Sequence, residues 1–316
     1  MKNILHIILI SIISLIVISC AKKSDSSSTT SSGLFVVVGD SGTILTSSDG
    51  TTWTSRTSGT SNGLYNIFYG NSTFVAVGHS GTILTSSDGT TWTSRTSGTS
   101  EHLYGITYGN STFVVVGDND SGSVGTILTS SDGITWTSRI SGTTNDLWDV
   151  NYGNNTFVAS ESTGGIITSS DGISWTSRTS GITSGIWGGA YGNSKFVVSS
   201  QGGEILTSSG GTTWTSRNSG TSSALNDVAF GKSLNDGTNL FAAVGVDGTV
   251  STSSDGTSWT TENIGITINL FGVTYGNSIW VIVGAEGYIF STEDEDTLTS
   301  RTSGTTAHLN RVFYKE

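Results

Sequence analysis

The sequence predicts an all-β seven-bladed β-propeller of four-stranded blades, closed by a C-terminal strand that completes the N-terminal blade. Three observations predict it. A repeat recurs with a base period of 39 residues, each period holds four short strand signals, and the strand count balances only if the two chain ends share one blade.

The repeat is explicit. Gly42–Ser61 and Gly81–Ser100 are identical over twenty residues. The repeat tryptophans are Trp53, Trp92, Trp136, Trp175, Trp214 and Trp259, with Leu298 in the seventh place, at spacings of 39, 44, 39, 39, 45 and 39. The two long spacings are insertions, within Asp118–Val124 and within Lys232–Asn239. Inside one period, strand A is Leu64–Tyr69, B is Phe74–Val77, C is Thr82–Ser86 and D is Thr91–Thr96. Turn signals fall between them at Gly70-Asn71, Gly78–Gly81 and Asp88-Gly89. Four strands in this length is the spacing of a propeller blade. A parallel β-helix is the alternative repeat fold, but its coils are shorter and need no closure.

The chain ends carry the closure. After the polar leader the repeats begin at a strand B, Leu34–Val38, and end with a surplus strand A, Leu309–Tyr314. Pairing these two gives seven strands of each type and hides edges that an open array leaves unpaired.

Composition agrees with an all-β chain rich in tight turns: 43 glycines, no proline, and 12% charged residues in 316. The net charge of −11 excludes nucleic acid as a partner class, because neutralising phosphates needs clustered Lys and Arg. It equally excludes electrostatic docking on anionic lipid, so any membrane attachment has to come through an anchor.

Residues 1–19 read as a signal segment: Lys2, then an apolar run from Ile4 to Ile18 that is too short to span a bilayer. The run ends Val17-Ile18-Ser19-Cys20, which resembles the bacterial lipobox. That resemblance implies cleavage before Cys20, the chain's only cysteine, and a diacylglyceryl thioether on its sulfur. Residues 20–33 continue as a Ser/Thr-rich tether reaching roughly 20 Å on average. The domain plan is therefore signal peptide 1–19, lipidated Cys20 and tether 20–33, and propeller 34–316. Ala21 is neutral, and by enteric-type sorting it points to the outer membrane of a bacterial cell envelope.

The C–D turn reads Ser-Ser-Asp-Gly-x-x-Trp in five copies, carrying Asp49, Asp88, Asp132, Asp171 and Asp255. The fifth period has Gly210 instead, and the seventh is degenerate over Thr292–Leu298. This turn resembles the Asp-box, or BNR repeat, of sialidase-like propellers, with one residue fewer before the tryptophan. The resemblance implies structural aspartates that brace a hairpin, not a metal or catalytic set, because repeat symmetry spreads them around a rim.

Sialidase chemistry needs three arginines converging on a carboxylate. Six of the seven arginines lie three residues after the Trp position on outer strand D, as edge charges or Asp partners, and only Arg311 is on an inner strand. His79, His102 and His308 fall in loops without a metal-ligand pattern. Asp118–Gly122 has the spacing of a calcium loop but lacks its third ligand and distal Glu. No cofactor and no metal is expected.

Where the repeats differ, a ligand can sit. In propellers of this type the B–C and D–A loops share the face that bears the channel mouth. The second residue of strand A runs Tyr65, Tyr104, Trp148, Trp187, Asn226, Phe271, Asn310. The third runs Asn66, Gly105, Asp149, Gly188, Asp227, Gly272, Arg311. The candidate binding residues are Tyr65, Tyr104, Trp148, Asp149, Trp187, Asp227, Phe271 and Arg311. The competing reading is that the aromatics pack between blades and the small residues relieve crowding at the axis.

The expected function is a non-enzymatic envelope lipoprotein, monomeric, whose propeller binds a protein or a carbohydrate. A divergent glycoside hydrolase or lyase is the alternative. An assembly factor similar to the propeller family that helps assemble photosystem II is a third class, but that family's basic patch has no counterpart here.

Overall fold

A computed structural model of the chain describes residues 33–119, 122, 124–292 and 297–316. The signal segment, Cys20 and the tether up to residue 32 lie outside the described residues, as do 120, 121 and 123 of the first insertion and the acidic run 293–296. The described chain folds as seven four-stranded antiparallel sheets, each ordered A–B–C–D from the axis outward. Blades are numbered here by their strand B, so blade 1 holds Leu34–Gly39.

Blade 2 shows the pattern. Its strands are Leu64–Gly70, Thr73–Gly78, Ile83–Ser86 and Thr93–Arg95. The A–B hairpin turns on Asn71 and Ser72, at φ 45° and 60°. Positive φ at both central residues is the turn whose twist matches the flanking strands, and Asn tolerates it well. Strand D is only three residues long, shorter than its sequence signal, because it is an edge with one pairing partner; a short edge is also a poor template for aggregation.

Closure is as the strand count required. Leu309–Lys315 pairs antiparallel with Leu34–Gly39, with Val36 opposite Phe313, Val37 opposite Val312 and Val38 opposite Arg311. Blade 1 is thus built from both ends of the propeller chain.

The core is a set of seams rather than one centre. Buried apolar residues sort into one cluster per blade–blade boundary. Val36, Val38 and Ile44 of blade 1, for example, pack against Leu64, Phe74 and Leu84 of blade 2. The strand B phenylalanine is fully buried in six blades, and the repeat Trp meets it with ring centroids about 6.4 Å apart, as in Phe113–Trp136. Blade 7 departs from this: Trp280 takes the Phe place and Leu298 the Trp place. Without the outer indole, the seam between blades 6 and 7 keeps a cavity of about 770 Å³ lined by Leu240, Val250, Trp280 and Leu298. Trp280 Nε1 donates to the Lys232 carbonyl at 3.0 Å and so anchors the second insertion.

The Ser-Ser-Asp-Gly turns brace the C–D hairpins. In blade 3, Asp132 Oδ1 accepts the Ser130 hydroxyl at 2.9 Å and the backbone N–H groups of Ile134 and Thr135 at 2.8 and 2.9 Å. Those backbone donors, Thr135 first, hold the carboxyl below its ordinary range. Gly133 has φ 74°, and a Cβ there would stand 3.0 Å from Val75 of the preceding blade, so a side chain at this position is strained and crowded. Trp136 Nε1 donates back to the Gly133 carbonyl at 3.1 Å. Blade 5 is an internal control. Gly210 removes the carboxylate, yet Gly211 N–H still reaches Ser208 and Trp214 Nε1 still reaches Gly211, at 2.8 and 2.9 Å. Asp132→Ala should therefore cost only about 1 kcal/mol through its lost turn bonds. Trp136 is half-buried, so Trp136→Ala should cost about 2–3 kcal/mol, less than a fully buried indole. Urea titration of both variants checks the order; equal midpoints for the Trp variant and the parent would contradict the seam packing. The outer-strand arginines each donate Nε to a strand C hydroxyl, as Arg139 does to Thr129 at 2.8 Å.

Candidate binding face and charged channel

The B–C and D–A connections do share one face. A B–C loop N–H donates to the carbonyl just before strand A in blade after blade: His79 to Gly63 at 2.9 Å, Asp118 to His102 at 3.0 Å, Gln201 to Gly185 at 2.8 Å. Strand A begins at this face.

Strand A also begins with a feature that alternation alone does not contain. In all seven blades its register slips at the second residue. Leu64 pairs with Gly78 and Asn66 with Val77, so Tyr65 has no partner. This is a β-bulge, which bends a strand and re-aims one side chain. Its consequence is visible in burial. Asn66 and Ile67 are both buried at 5% and 1% exposure, while Tyr65 stays half-exposed at the mouth.

Five of the seven bulged residues are the aromatics. Tyr65 and Tyr104 stack with centroids 5.3 Å apart, and the His102 ring lies 6.4 and 6.2 Å from them. His79 stands 4.1 Å from His102. Trp148 and Trp187 are 5.7 Å apart and inclined at 56°. Trp148 reaches over the next blade's connection: a Cβ on Gly185 would fall 2.4 Å from its Cζ3. Phe271 meets His308 edge-on at 5.9 Å. The two asparagines at this position are ties between blades. Asn226 Nδ2 donates to the Leu270 carbonyl at 2.7 Å, and Asn310 Nδ2 to the Leu64 carbonyl at 3.0 Å and to Asp40 at 2.9 Å.

The third residues form a ring one step deeper. Arg311 reaches across the axis to blades 4 and 6: Nη1 is 2.6 Å from Asp227 Oδ1 and Nη2 is 3.5 Å from Asp149 Oδ1. The carboxylates also accept the channel-facing N–H groups that an inner edge leaves unpaired. Asp227 takes Val228 N–H at 2.8 Å and, from blade 7, Val273 N–H at 3.0 Å. Asp149 takes Asn151 Nδ2 at 2.8 Å and the Val150 and Gly189 N–H groups. Gly105, Gly188 and Gly272 alternate with the charged residues because a Cβ on each would meet the next blade's Asp149, Asp227 or Arg311 Cα at 2.6–3.0 Å. Burial pushes both carboxyls up against the pull of Arg311, Asp227 to about 6. A cavity of about 340 Å³ along the inner strands is lined by the ring residues Asp149, Asp227 and Arg311 and, further along those strands, by Phe68, Asn151, Thr274 and Phe313.

The candidate residues thus separate into two levels. Tyr65 with Tyr104, Trp148 with Trp187, and Phe271 line the mouth. Asp149, Asp227 and Arg311 converge beneath it, 3%, 3% and 16% exposed at the side chain, as a buried charge cluster. Asp49, Asp88, Asp132, Asp171 and Asp255 sit at the C–D turns, away from both. The sequence reading did not bring His79 and His102 to the Tyr pair. The signal was available in their positions: one in a B–C loop, the other immediately before a strand A. Asp118 accepts the His102 N–H at 2.7 Å. No group of three His, Cys, Asp or Glu is placed to hold a metal among the described residues, and the remainder of the calcium-like loop lies outside them.

No family model and no curated protein matches the chain. Solved structures match at low identity. YCF48 bound to D1 peptide gives a TM-score of 0.59 at 16% identity, over 80% of this chain and 91% of that one. YCF48 from Cyanidioschyzon merolae gives 0.60 at 16% identity, over 80% and 94%. The WD40 β-propeller domain of Doa1 gives 0.59 at 11% identity, over 78% and 92%. These likenesses show the fold, a β-propeller.

Proposed function

We propose that the chain is a non-enzymatic envelope lipoprotein whose propeller binds a protein segment on its B–C/D–A face. One observation carries the reading: a bulge in every blade aims the second residue of strand A at the channel mouth, and five of those residues are half-exposed aromatics, four of them in two close pairs. Aromatics of this kind make hot spots, because they supply contact area at little entropic cost. The YCF48 structure bound to a peptide supports the reading as a precedent for the fold. The engagement of Asp149 and Asp227 with Arg311 and backbone donors supports a binding role over the hydrolase or lyase alternative, since it leaves neither carboxylate free for acid–base work.

The lipobox-like Ser19-Cys20 junction supports the anchor, and the Asp-box resemblance supports common ancestry of the blades rather than a shared activity. Mass spectrometry of the mature N-terminus should find residues 1–19 gone and Cys20 acylated; an unmodified Cys20 still preceded by residues 1–19 would remove the anchor from the proposal. Trp148→Ala should weaken capture of the partner by about 1–3 kcal/mol with little change in the unfolding midpoint. Crosslinking in envelope fractions measures the first and urea titration the second. Capture of a glycan instead of a protein by the same surface would redirect the reading to carbohydrate.

A further inference from the structure

The mouth face has a charge pattern that narrows its partner. Across all seven B–C and seven D–A connections the sequence contains no Lys and no Arg. Acidic side chains recur there instead. Asp40, Glu101, Asp146 and Glu204 are half-exposed, and Asp247 and Glu286 are exposed. Asp247 and Glu286 hold φ of 52° and 55°, a strained backbone for residues other than glycine, on exposed 3-10 turns of the B–C connections.

At the tyrosine pair, acid and aromatic lie side by side. Gly63 lies between them: a Cβ there would be 3.4 Å from Asp40 Oδ1 and 3.5 Å from Tyr65 Cε1. Burial first, then the carboxylates of Asp40 and Asp118, push the Tyr65 phenol above its ordinary value, so the stacked tyrosines sit in a negative field. The only guanidinium near the axis, Arg311, is consumed beneath the mouth by two carboxylates, leaving that cluster without surplus positive charge. Asn226, at the same bulge position as the aromatics, adds a buried Oδ1 acceptor with no donor. Aromatic faces beside carboxylates, on connections with no Lys or Arg of their own, are what recognise Lys and Arg side chains, through cation–π contact and charge-assisted hydrogen bonds.

We propose that this face takes an extended, cationic peptide segment of a partner protein, its Lys or Arg side chains seated over the Tyr65–Tyr104 and Trp148–Trp187 pairs, within the negative field of the rim carboxylates. The proposal rests on the protein-binding reading above and specifies its chemistry.

The test is selection of a random-sequence displayed peptide library on the full chain purified in detergent, beside the Trp148→Ala/Trp187→Ala variant and the Asp247→Asn/Glu286→Gln variant. The rim double variant leaves the core untouched. Enriched peptides should carry net positive charge with Arg or Lys. Their affinity should fall about tenfold between low and about 0.3 M salt, and severalfold in the rim variant. Enrichment of neutral or acidic peptides that still need Trp148 and Trp187 would overturn the cationic partner while leaving peptide binding in place. Basic peptides that bind both variants as well as the parent would place the site elsewhere and overturn it too. Enrichment of nothing would overturn both the proposal and the protein-binding reading.

Discussion

Deleting Leu309–Glu316 should abolish cooperative folding. The segment is the innermost strand of blade 1, and its loss strips Leu34–Gly39 of a partner along its whole length. It also removes Leu309 and Val312 from the seam between blades 7 and 1, where they are 0% and 4% exposed. Phe35 and three valines then lie on an edge strand, still paired with Ile44–Ser47 on one side but open to other chains on the other, which is the condition for edge-to-edge aggregation. The loss of apolar burial alone is several kcal/mol at about 25 cal/mol per Å², comparable to the net stability of a domain. Circular dichroism melts and light scattering read the outcome. A truncated protein that melts like the full-length one would mean that closure through blade 1 does not hold the ring.

Arg311→Ala should be the most damaging single substitution at the channel, at about 3–5 kcal/mol, because it leaves Asp149 and Asp227 buried without their cation. Arg311 also sits on the closing strand, so the cluster pins that strand across the axis to blades 4 and 6. The pH dependence follows from the same geometry. Two carboxylates share one guanidinium, and burial raises both pKa values, Asp227 from 3.8 to about 6. A raised folded-state pKa contributes stability that is complete below the unfolded value and lost as pH rises through the folded one. Asp227 should therefore stabilise the fold as pH falls from about 7 toward about 5, by of order 1 kcal/mol, and Asp149 acts in the same direction. The turn aspartates run the other way. Their backbone-bonded carboxyls are depressed, so their contribution is present above about 4 and lost as pH falls further. The melting temperature should peak in mildly acidic buffer. Asp227→Asn should flatten the rise between pH 7 and 5 and leave the acid limb unchanged; a parent protein that is most stable above pH 7 would contradict the buried cluster.

Repetition made most of the fold readable. The 39-residue period, the turn residues at fixed offsets and the leftover strand at Leu309 are local and countable. A repeat protein reuses one solution, so a pattern seen seven times needs no long-range information. The brace role of Asp132 and its equivalents was readable for the same reason, since its partners lie within three residues of it.

The site divided along a different line. That Tyr65, Tyr104, Trp148 and Trp187 vary while the outer strands repeat was visible in the residues themselves. That they face the mouth while Asp149, Asp227 and Arg311 turn inward was not. Strict alternation would send neighbouring positions 2 and 3 to opposite sides, but says nothing about which is buried or by what. The bulge that separates them is a pairing event between strands A and B. Arg311 finds Asp149, 162 residues away, only because ring closure brings blade 1 opposite blade 4 across the axis. Local spacing thus determined the blades, their number and their bracing. Tertiary structure alone decided which charges meet, because seven inner strands converge on an axis too narrow for seven side chains, and glycine, amide and ion pair had to share it.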